Sequence, residues 1–326
     1  MQAFEYANPK STKEALSLLG SQWGEADILA GGTDLLSLMK DYIHTPRRLV
    51  SLSGIKELRA VRSAADGVHL GALVTLEELL EHAVIRKQFP SLVQAARGVT
   101  SPQIRAMGTV GGDLCQRPRC WYFRKGFGLL ARDSRGRELV TNGENRYHAI
   151  LGNRGPAKFV SASSLAPALI SLGAKLTIAS ASGNRTVEVE KFFLSPTDPA
   201  SREVDLKSNE ILTEILIPPS AGVKGATYEV RQKEALDWPL ATASVALKMK
   251  GASVDSAKVV LGHVAPTPWN SAEAARALAG KPVSEATAQA AADAALAEAS
   301  PLSQNRYKVQ LAKVAVKRAL LAAGRA

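Results

Sequence analysis

LAGGTDLLSLMKDY, residues 29–42, places two glycines and a threonine between an apolar run and an amphipathic one. The residues just before the glycines, ADIL, are typical of a short buried strand. The residues after them, DLLSLMKDY, have the apolar spacing of a helix. The stretch therefore predicts a strand, a Gly-Gly turn and a helix.

Two interpretations of Gly31 and Gly32 are open at this point. The pair could form a tight turn that needs positive φ, with Thr33 or Asp34 capping the helix. Alternatively, their backbone N–H groups could cradle a phosphate, because a glycine lets a ligand approach closely. The pattern is neither GxGxxG nor a P-loop, since no Gly-Lys pair follows the glycines.

A second stretch, MGTVGGD at residues 107–113, repeats this chemistry with another Gly-Gly pair beside a hydroxyl and a polar residue. Two such loops could hold one pyrophosphate from both sides. A coincidence of two ordinary turns is the alternative.

The surrounding pattern predicts an α+β chain of three parts. After the first unit, residues 66–75 have the alternation of a strand pair. Residues 75–99 have the spacing of two helices that separate near Phe89, and residues 101–115 form a glycine-rich loop. Residues 116–155 hold few apolar runs and many Arg and Gly, which predicts an inserted loop with a function. Beyond the linker-like PSAGVKG at 219–225, three antiparallel strands precede alanine-rich helices. We expect subdomains at 1–60 and 61–220 and a C-terminal domain at 225–326.

The composition excludes several classes of protein. The net charge of +11 is spread along all 326 residues without an aromatic-studded basic stripe, which disfavours nucleic-acid binding. No apolar run is long enough to cross a bilayer and no export signal is evident, so we expect no membrane partner and a cytoplasmic location. Two cysteines exclude a disulfide framework. The five histidines lack paired spacing, so neither a metal site nor a catalytic triad is predicted.

Several motifs in a fixed order resemble the FAD-binding subunit of the heterotrimeric molybdenum hydroxylases, the xanthine dehydrogenase and aldehyde oxidoreductase family. The motifs are ILAGGTDL, SPQIRAMGTVGGDLCQRPRCWYFR, YHAI, SLAPALISLGA, EILTEILIP and YEVRQKEALDWPLATASVAL. The resemblance spans essentially the whole chain. It implies the p-cresol methylhydroxylase-type FAD-binding fold, in which two α+β subdomains hold FAD and a C-terminal α+β domain, here with a three-stranded antiparallel sheet, closes over it.

The resemblance also assigns cofactor-binding residues by position. They are Ala30, Gly31, Gly32, Thr33, Asp34 and Leu35 around the pyrophosphate, Thr109, Gly111, Gly112 and Asp113 in the second loop, Lys233 and Ser164 near the flavin ring, and Leu212 and Ile215 packing against the cofactor. Plain strand core is the alternative for Leu212 and Ile215. No residue is assigned a catalytic role on an organic substrate.

Two departures from the family pattern stand out. Relatives with the loop QRPRCWYFR carry four cysteines for a [4Fe–4S] cluster, and only Cys120 matches, so we predict that this chain holds no such cluster. Cys115 is expected to be a small buried or loop residue. Relatives usually have Asp where Ser164 stands, and an uncharged side chain there would alter the properties of the flavin.

The implied function is electron relay. A large molybdopterin-binding subunit would oxidise the substrate, a small [2Fe–2S] subunit would pass electrons to the FAD of this chain, and NAD, oxygen or another acceptor would take them. Two alternatives are a stand-alone FAD-dependent oxidase and a cofactor-free basic binding protein. A twin-arginine signal on a partner subunit would place the complex in the periplasm.

Overall fold

The computed structural model describes residues 1–325 and contains three β-sheets. The first sheet is parallel. The last of its three strands in chain order lies in the centre, where Arg48 pairs with Glu5 on one side and Ala26 on the other. Its strands are Glu5–Ala7, Ala26–Leu29 and Arg48–Ser51. Helices Thr12–Ser17 and Leu35–Lys40 connect the strands, and 3₁₀ turns follow at Leu52–Gly54 and Lys56–Arg59. The strand, Gly-Gly turn and helix expected around Gly31 are therefore present.

The second sheet is antiparallel and has five strands. In spatial order they are Val61–Ala64, Gly67–Gly71, Ile211–Ile217, Lys175–Ser180 and Gly183–Glu188. The strand Ile211–Ile217 arrives from the far end of this part of the chain and occupies the centre, since both of its neighbours pair with it. Residues far apart in sequence are thereby brought to one sheet.

Eight short helices lie in the chain between the strands of this sheet. They are Leu76–Glu81, Ala83–Gln88, Pro90–Gly98, Pro102–Met107, Val110–Cys115, Trp121–Arg124, Ala166–Ser171 and Val189–Phe192. Thr75 and Glu78 form a capping box at the start of the first of them, and Pro90 begins the third. Residues 75–99 thus form three helices rather than the two expected, because the chain leaves the helical conformation at His82.

The stretch 101–115, expected to be a loop, contains two six-residue helices. Ser101 and Thr109 cap them by accepting from the N–H groups of Ile104 and Gly112. Helices this short have too few turns for a periodic apolar pattern to develop. The signals that could have indicated them are the capping residues and Pro102 at the first helical position.

The C-terminal part contains a four-stranded antiparallel sheet, not the three-stranded sheet expected. Its strands, in spatial order, are Trp269–Asn270, Ser253–Gly262, Ala241–Lys250 and Val223–Val230. The additional strand has two residues, and Trp269 pairs with Leu261 at the edge. Helices Ala272–Leu278, Glu285–Ala295 and Tyr307–Arg325 cover one face, and their buried side chains are mostly alanines, which allow close packing.

This sheet also packs on the helix Pro90–Gly98. Thr227 donates its N–H to Gln94 at 2.6 Å and its hydroxyl to the carbonyl of Ser91 at 2.9 Å. The overall α+β architecture is confirmed. Among residues 1–325, no helix is both long and apolar enough to span a bilayer.

In the inserted stretch 116–155, side-chain hydrogen bonds hold the chain where helix and strand hydrogen bonds are few. Its regular structure is the helix Trp121–Arg124. Asn145 donates to the carbonyl of Val140 at 3.1 Å, and Asn153 donates to the carbonyl of Ser300 at 2.9 Å. Asn305 donates to the carbonyl of His148 at 3.1 Å. Asparagine carboxamides that link this stretch to residues 300–305 therefore donate to backbone carbonyls that have no partner in a strand or helix.

Candidate cofactor-binding site

Two clefts meet at the two glycine loops. Cleft A, of about 1120 Å³, lies between the first sheet and the strand Ile211–Ile217, and cleft B, of about 1010 Å³, lies beneath the C-terminal loop Leu236–Pro239. Both volumes include the open mouths. Residues that line both clefts are Thr33, Asp34, Thr109, Gly112 and Gln116. An elongated ligand with two halves could therefore occupy both clefts and cross the loops at its middle.

The first glycine loop touches the second through Gly31. A Cβ atom on Gly31 would lie 1.8 Å from the carbonyl oxygen of Met107, which no side chain tolerates. Gly32 has a φ of +74°, in the region that favours glycine. Glycine is needed at position 31 because the two loops approach each other closely there, and at position 32 because of the backbone conformation.

The backbone donors of the first loop are free. The N–H groups of Gly31, Gly32, Thr33 and Asp34 donate to no acceptor within residues 1–325. Open backbone N–H groups at a turn that leads into a helix suit an anionic ligand, so these four could hold a phosphate.

The second loop uses most of its donors inside the protein. Val110 donates its N–H to the carbonyl of Val74 and Gly111 donates to the carbonyl of Ala72, both at 2.9 Å. Gly112 donates to the Thr109 hydroxyl at 3.0 Å. Of residues 109–113, Thr109 alone has an N–H without an acceptor in the described chain. This loop contributes little direct anion binding and mainly supports the first.

Asp34 links the first loop to the inserted stretch. It occupies the N-cap position but makes no capping hydrogen bond with its side chain. Its carboxylate instead pairs with Arg119 at 2.9 Å and Arg124 at 2.7 Å, and accepts from the N–H of Arg117 at 2.8 Å. The interpretation of Asp34 as a helix cap is therefore wrong.

Asp113 is buried and lines cleft B, and its carboxylate faces the turn at residues 163–165. Its carboxylate accepts from the N–H groups of Leu165 at 3.0 Å and Ser164 at 3.3 Å, from Gln116 at 2.9 Å and from the Ser163 hydroxyl. Burial raises the pKa of Asp113. Asp113 thus fixes the turn that presents Ser164, which is 3% exposed and lines cleft B.

The remaining residues assigned from the sequence fall into two groups. Ala30, Leu35 and Leu212 line cleft A. Ile215 is fully buried in the core of the second sheet and lines neither cleft, which favours the alternative of plain strand core. Lys233 was expected in a strand, but that strand ends at Val230, and the lysine is exposed in the following loop outside both clefts.

Two aromatic residues at the clefts were missed by sequence analysis. Trp23 lines cleft A, where the Arg202 guanidinium lies 4.0 Å from its ring centroid. Trp238 lines cleft B, where Arg119 lies 4.4 Å from its ring centroid. Burial lowers the pKa of Arg202 to about 10, which leaves it cationic at neutral pH. The tryptophan of the DWP turn was the available signal for cleft B.

Both glycine loops and their setting fit a dinucleotide. Open backbone donors lie at the junction, arginines surround it, and each cleft offers an apolar wall with an aromatic ring. Among residues 1–325, no three His, Cys, Asp or Glu side chains are grouped to hold a metal ion.

Comparison with known proteins agrees with this geometry. Residues 2–220 match the family model described as the FAD binding domain in molybdopterin dehydrogenase, and residues 226–323 match the CO dehydrogenase flavoprotein C-terminal domain. The carbon monoxide dehydrogenase medium chain of Hydrogenophaga pseudoflava is 31% identical over 324 residues, covering 98% of this chain and 96% of the relative. An aldehyde oxidoreductase FAD-binding subunit of Escherichia coli K12 is 30% identical, covering 96% of each.

Solved structures show the same relationship. A carbon monoxide dehydrogenase from Hydrogenophaga pseudoflava superposes with a TM-score of 0.77 at 30% identity over 99% of this chain and 97% of the other. Quinoline 2-oxidoreductase from Pseudomonas putida 86 superposes with a TM-score of 0.78 at 26% identity over 99% and 98%. The resemblance stated from the sequence motifs is confirmed, and the chain belongs to the family of FAD-binding subunits of the molybdopterin dehydrogenases.

Proposed function

We propose that this chain is the FAD-binding, electron-transferring subunit of a molybdenum-containing oxidoreductase. The observation that carries the proposal is the junction of clefts A and B, where four consecutive backbone N–H groups are open. FAD has the matching shape, because its pyrophosphate joins two planar halves. The flavin supplies the chemistry that the role needs, since it accepts single electrons and releases a pair.

The two halves of FAD would occupy the two clefts. One half would lie in cleft A with Trp23 and Leu212, and the other in cleft B with Ser164 and Trp238. Ala30 to Leu35 would hold the pyrophosphate with Thr109 and Gly112 opposite. Gly111 in cleft A and Asp113 in cleft B would support the loops. Ile215 and Lys233 line neither cleft and are left out of this proposal.

The partners would be a large molybdopterin-binding subunit and a small [2Fe–2S] subunit. The names of the relatives support this, since one is a medium chain and another an FAD-binding subunit of an oxidoreductase. The acceptor would be NAD, oxygen or another oxidant.

We also propose domain limits at 1–60, 61–220 and 225–326. The proposed location is cytoplasmic, or periplasmic if a partner carries a twin-arginine signal.

We further propose that this chain holds no [4Fe–4S] cluster. The support is the thiol count, since the sequence contains only Cys115 and Cys120. Their surroundings also disfavour thiolates, because burial raises the pKa of both thiols. Iron analysis of the purified chain tests this, and about four irons per chain would overturn it.

Reconstitution of the purified chain with FAD tests the main proposal. We expect saturable binding and a flavin absorbance spectrum in the wild type, and FAD affinity roughly 100-fold lower in Gly31→Ala. Co-purification from the native source separates the alternatives, because a stand-alone oxidase would come without molybdenum and iron subunits. A cofactor-free basic protein would show no flavin and would bind DNA or RNA with a steep salt dependence.

A further inference from the structure

Every carboxylate that lines cleft A is engaged by another side chain of the protein. Asp27 lies 3.2 Å from Nδ1 of His44, and Glu210 pairs with Arg185 at 2.8 Å. Asp34 pairs with arginines of the inserted stretch, as described above. The acidic groups of this cleft are therefore already compensated by positive charge or by hydrogen bonds.

The two guanidinium groups that line cleft A differ in their partners. Arg117 pairs with the buried carboxylate of Glu203 and donates to Nε2 of His44 at 3.1 Å. Arg202 forms no ion pair within residues 1–325, and its buried Nε atom has no hydrogen-bond partner there. Arg202 is therefore a cation of the cleft wall that the described chain leaves without an anionic partner.

Stacking on Trp23 holds Arg202 in the cleft. The guanidinium carbon lies 4.0 Å from the centroid of the Trp23 ring. Trp23 precedes the strand Ala26–Leu29 of the first sheet, and Arg202 precedes the strand Ile211–Ile217 of the second, so the contact crosses cleft A. A stacked guanidinium uses its face, and its N–H donors, which lie in its plane, stay available to a ligand.

The charge of Arg202 distinguishes the two halves of FAD. Burial lowers the pKa of Arg202 to about 10, so the group is positively charged at neutral pH. The open N–H groups of residues 31–34 suit the pyrophosphate. The adenosine half has no charge, whereas a flavin ring that takes up two electrons and one proton carries one negative charge, shared by N1 and the C2 carbonyl oxygen. The flavin half therefore matches this cleft better.

We propose that cleft A takes the flavin half and that Arg202 donates to the N1 and C2 carbonyl edge of the ring, which stabilises the reduced, anionic form. The inference rests on the proposed function, in which the [2Fe–2S] subunit supplies the two electrons and water supplies the proton. The oxidised ring is neutral, so Arg202 binds the reduced form more tightly and raises the reduction potential of the bound FAD. Trp23 acts through Arg202 and is a positioning residue.

The midpoint potential of FAD bound to the full-length chain tests the proposal, measured by photoreduction without oxygen beside a reference dye. Arg202→Gln should lower the affinity for reduced FAD relative to oxidised FAD about tenfold, which corresponds to a potential about 30 mV lower. Arg202→Lys keeps the charge and should restore most of the difference, and Trp23→Leu should have a smaller effect of the same sign. Arg47→Gln removes an exposed cation outside both clefts and is the matched control, with an unaltered potential.

ADP, which has the adenosine and the pyrophosphate but no flavin, provides the second measurement. Its affinity should be equal in the wild type and Arg202→Gln, which would also show that the variant is folded. Equal potentials in the wild type and Arg202→Gln would overturn the inference. So would a parallel loss of ADP and FAD affinity in a variant with the wild-type circular dichroism spectrum, because Arg202 would then bind the pyrophosphate. If Arg202→Gln does not fold, Trp23→Leu decides by the same two measurements. A wild-type chain that takes up no FAD would refute the proposed function itself.

Discussion

The two glycine loops have similar sequences and different tasks. AGGTD at 30–34 leaves four backbone N–H groups open, whereas TVGGD at 109–113 directs four of its N–H groups to Val74, Ala72 and its own Thr109. Their carboxylates differ too. Asp34 pairs with arginines of the inserted stretch, and Asp113 fixes the turn at Ser164. The first loop leaves backbone donors open for a ligand, and the second uses its donors within the fold. A Gly-Gly motif alone therefore does not identify a ligand-binding loop.

The largest effect is expected from Gly31→Ala. Its Cβ would lie 1.8 Å from the carbonyl oxygen of Met107, so the loops must separate. With a strain of about 3 kcal/mol, FAD affinity should fall roughly 100-fold, measured by flavin fluorescence titration. Gly155→Ala, where a Cβ meets nothing within 4 Å, is the control. Unchanged affinity in Gly31→Ala would show that the junction of the loops is not the pyrophosphate site.

Gly111→Ala should reduce stability more than FAD affinity. The added Cβ would lie 2.8 Å from the Cβ of Ala72, inside the supporting loop. Such overpacking costs about 1–3 kcal/mol in the free energy of unfolding, measured by urea denaturation without FAD. A variant with wild-type stability and weak FAD binding would reverse the roles assigned to the two loops.

Asp113 predicts a pH dependence of stability. Burial raises its pKa above the unfolded value, so the folded state binds more protons between the two values. Stability is then fully present below the unfolded pKa and falls as pH rises through this window, by at most about 1.4 kcal/mol per pH unit. Asp113→Asn should flatten that slope in urea denaturation series. An identical slope in both proteins would mean that the carboxyl does not titrate on folding.

The smallest effect is expected from Thr109→Val. The change removes the hydroxyl that accepts from Gly112 at 3.0 Å and should cost about 1 kcal/mol of stability. Thr109→Ser keeps the oxygen and should restore most of that loss in the same denaturation experiment. A serine variant less stable than the valine variant would show that the methyl group rather than the cap stabilises the loop.

Most residues assigned from the sequence line the two clefts, but some differ from the role expected of them. Both loops, Leu212 and Ser164 line the clefts, which keeps them as candidates for the cofactor site. Lys233 does not line a cleft, because the strand before it ends at Val230. Trp23 and Trp238 were not assigned from the sequence, because they lie far apart in the chain and share no sequence pattern.

The sequence by itself determined the family, the α+β class and the need for glycine at position 32. The last of these is a local property, since a positive φ at Gly32 depends on the residue itself. Only the tertiary structure decided which N–H groups stay open. Each donor is satisfied or left free by an acceptor from a distant segment, and Ala72, which takes the N–H of Gly111, lies on another part of the fold. Whether a glycine loop has open donors for a ligand therefore depends on which acceptors the rest of the chain places next to it.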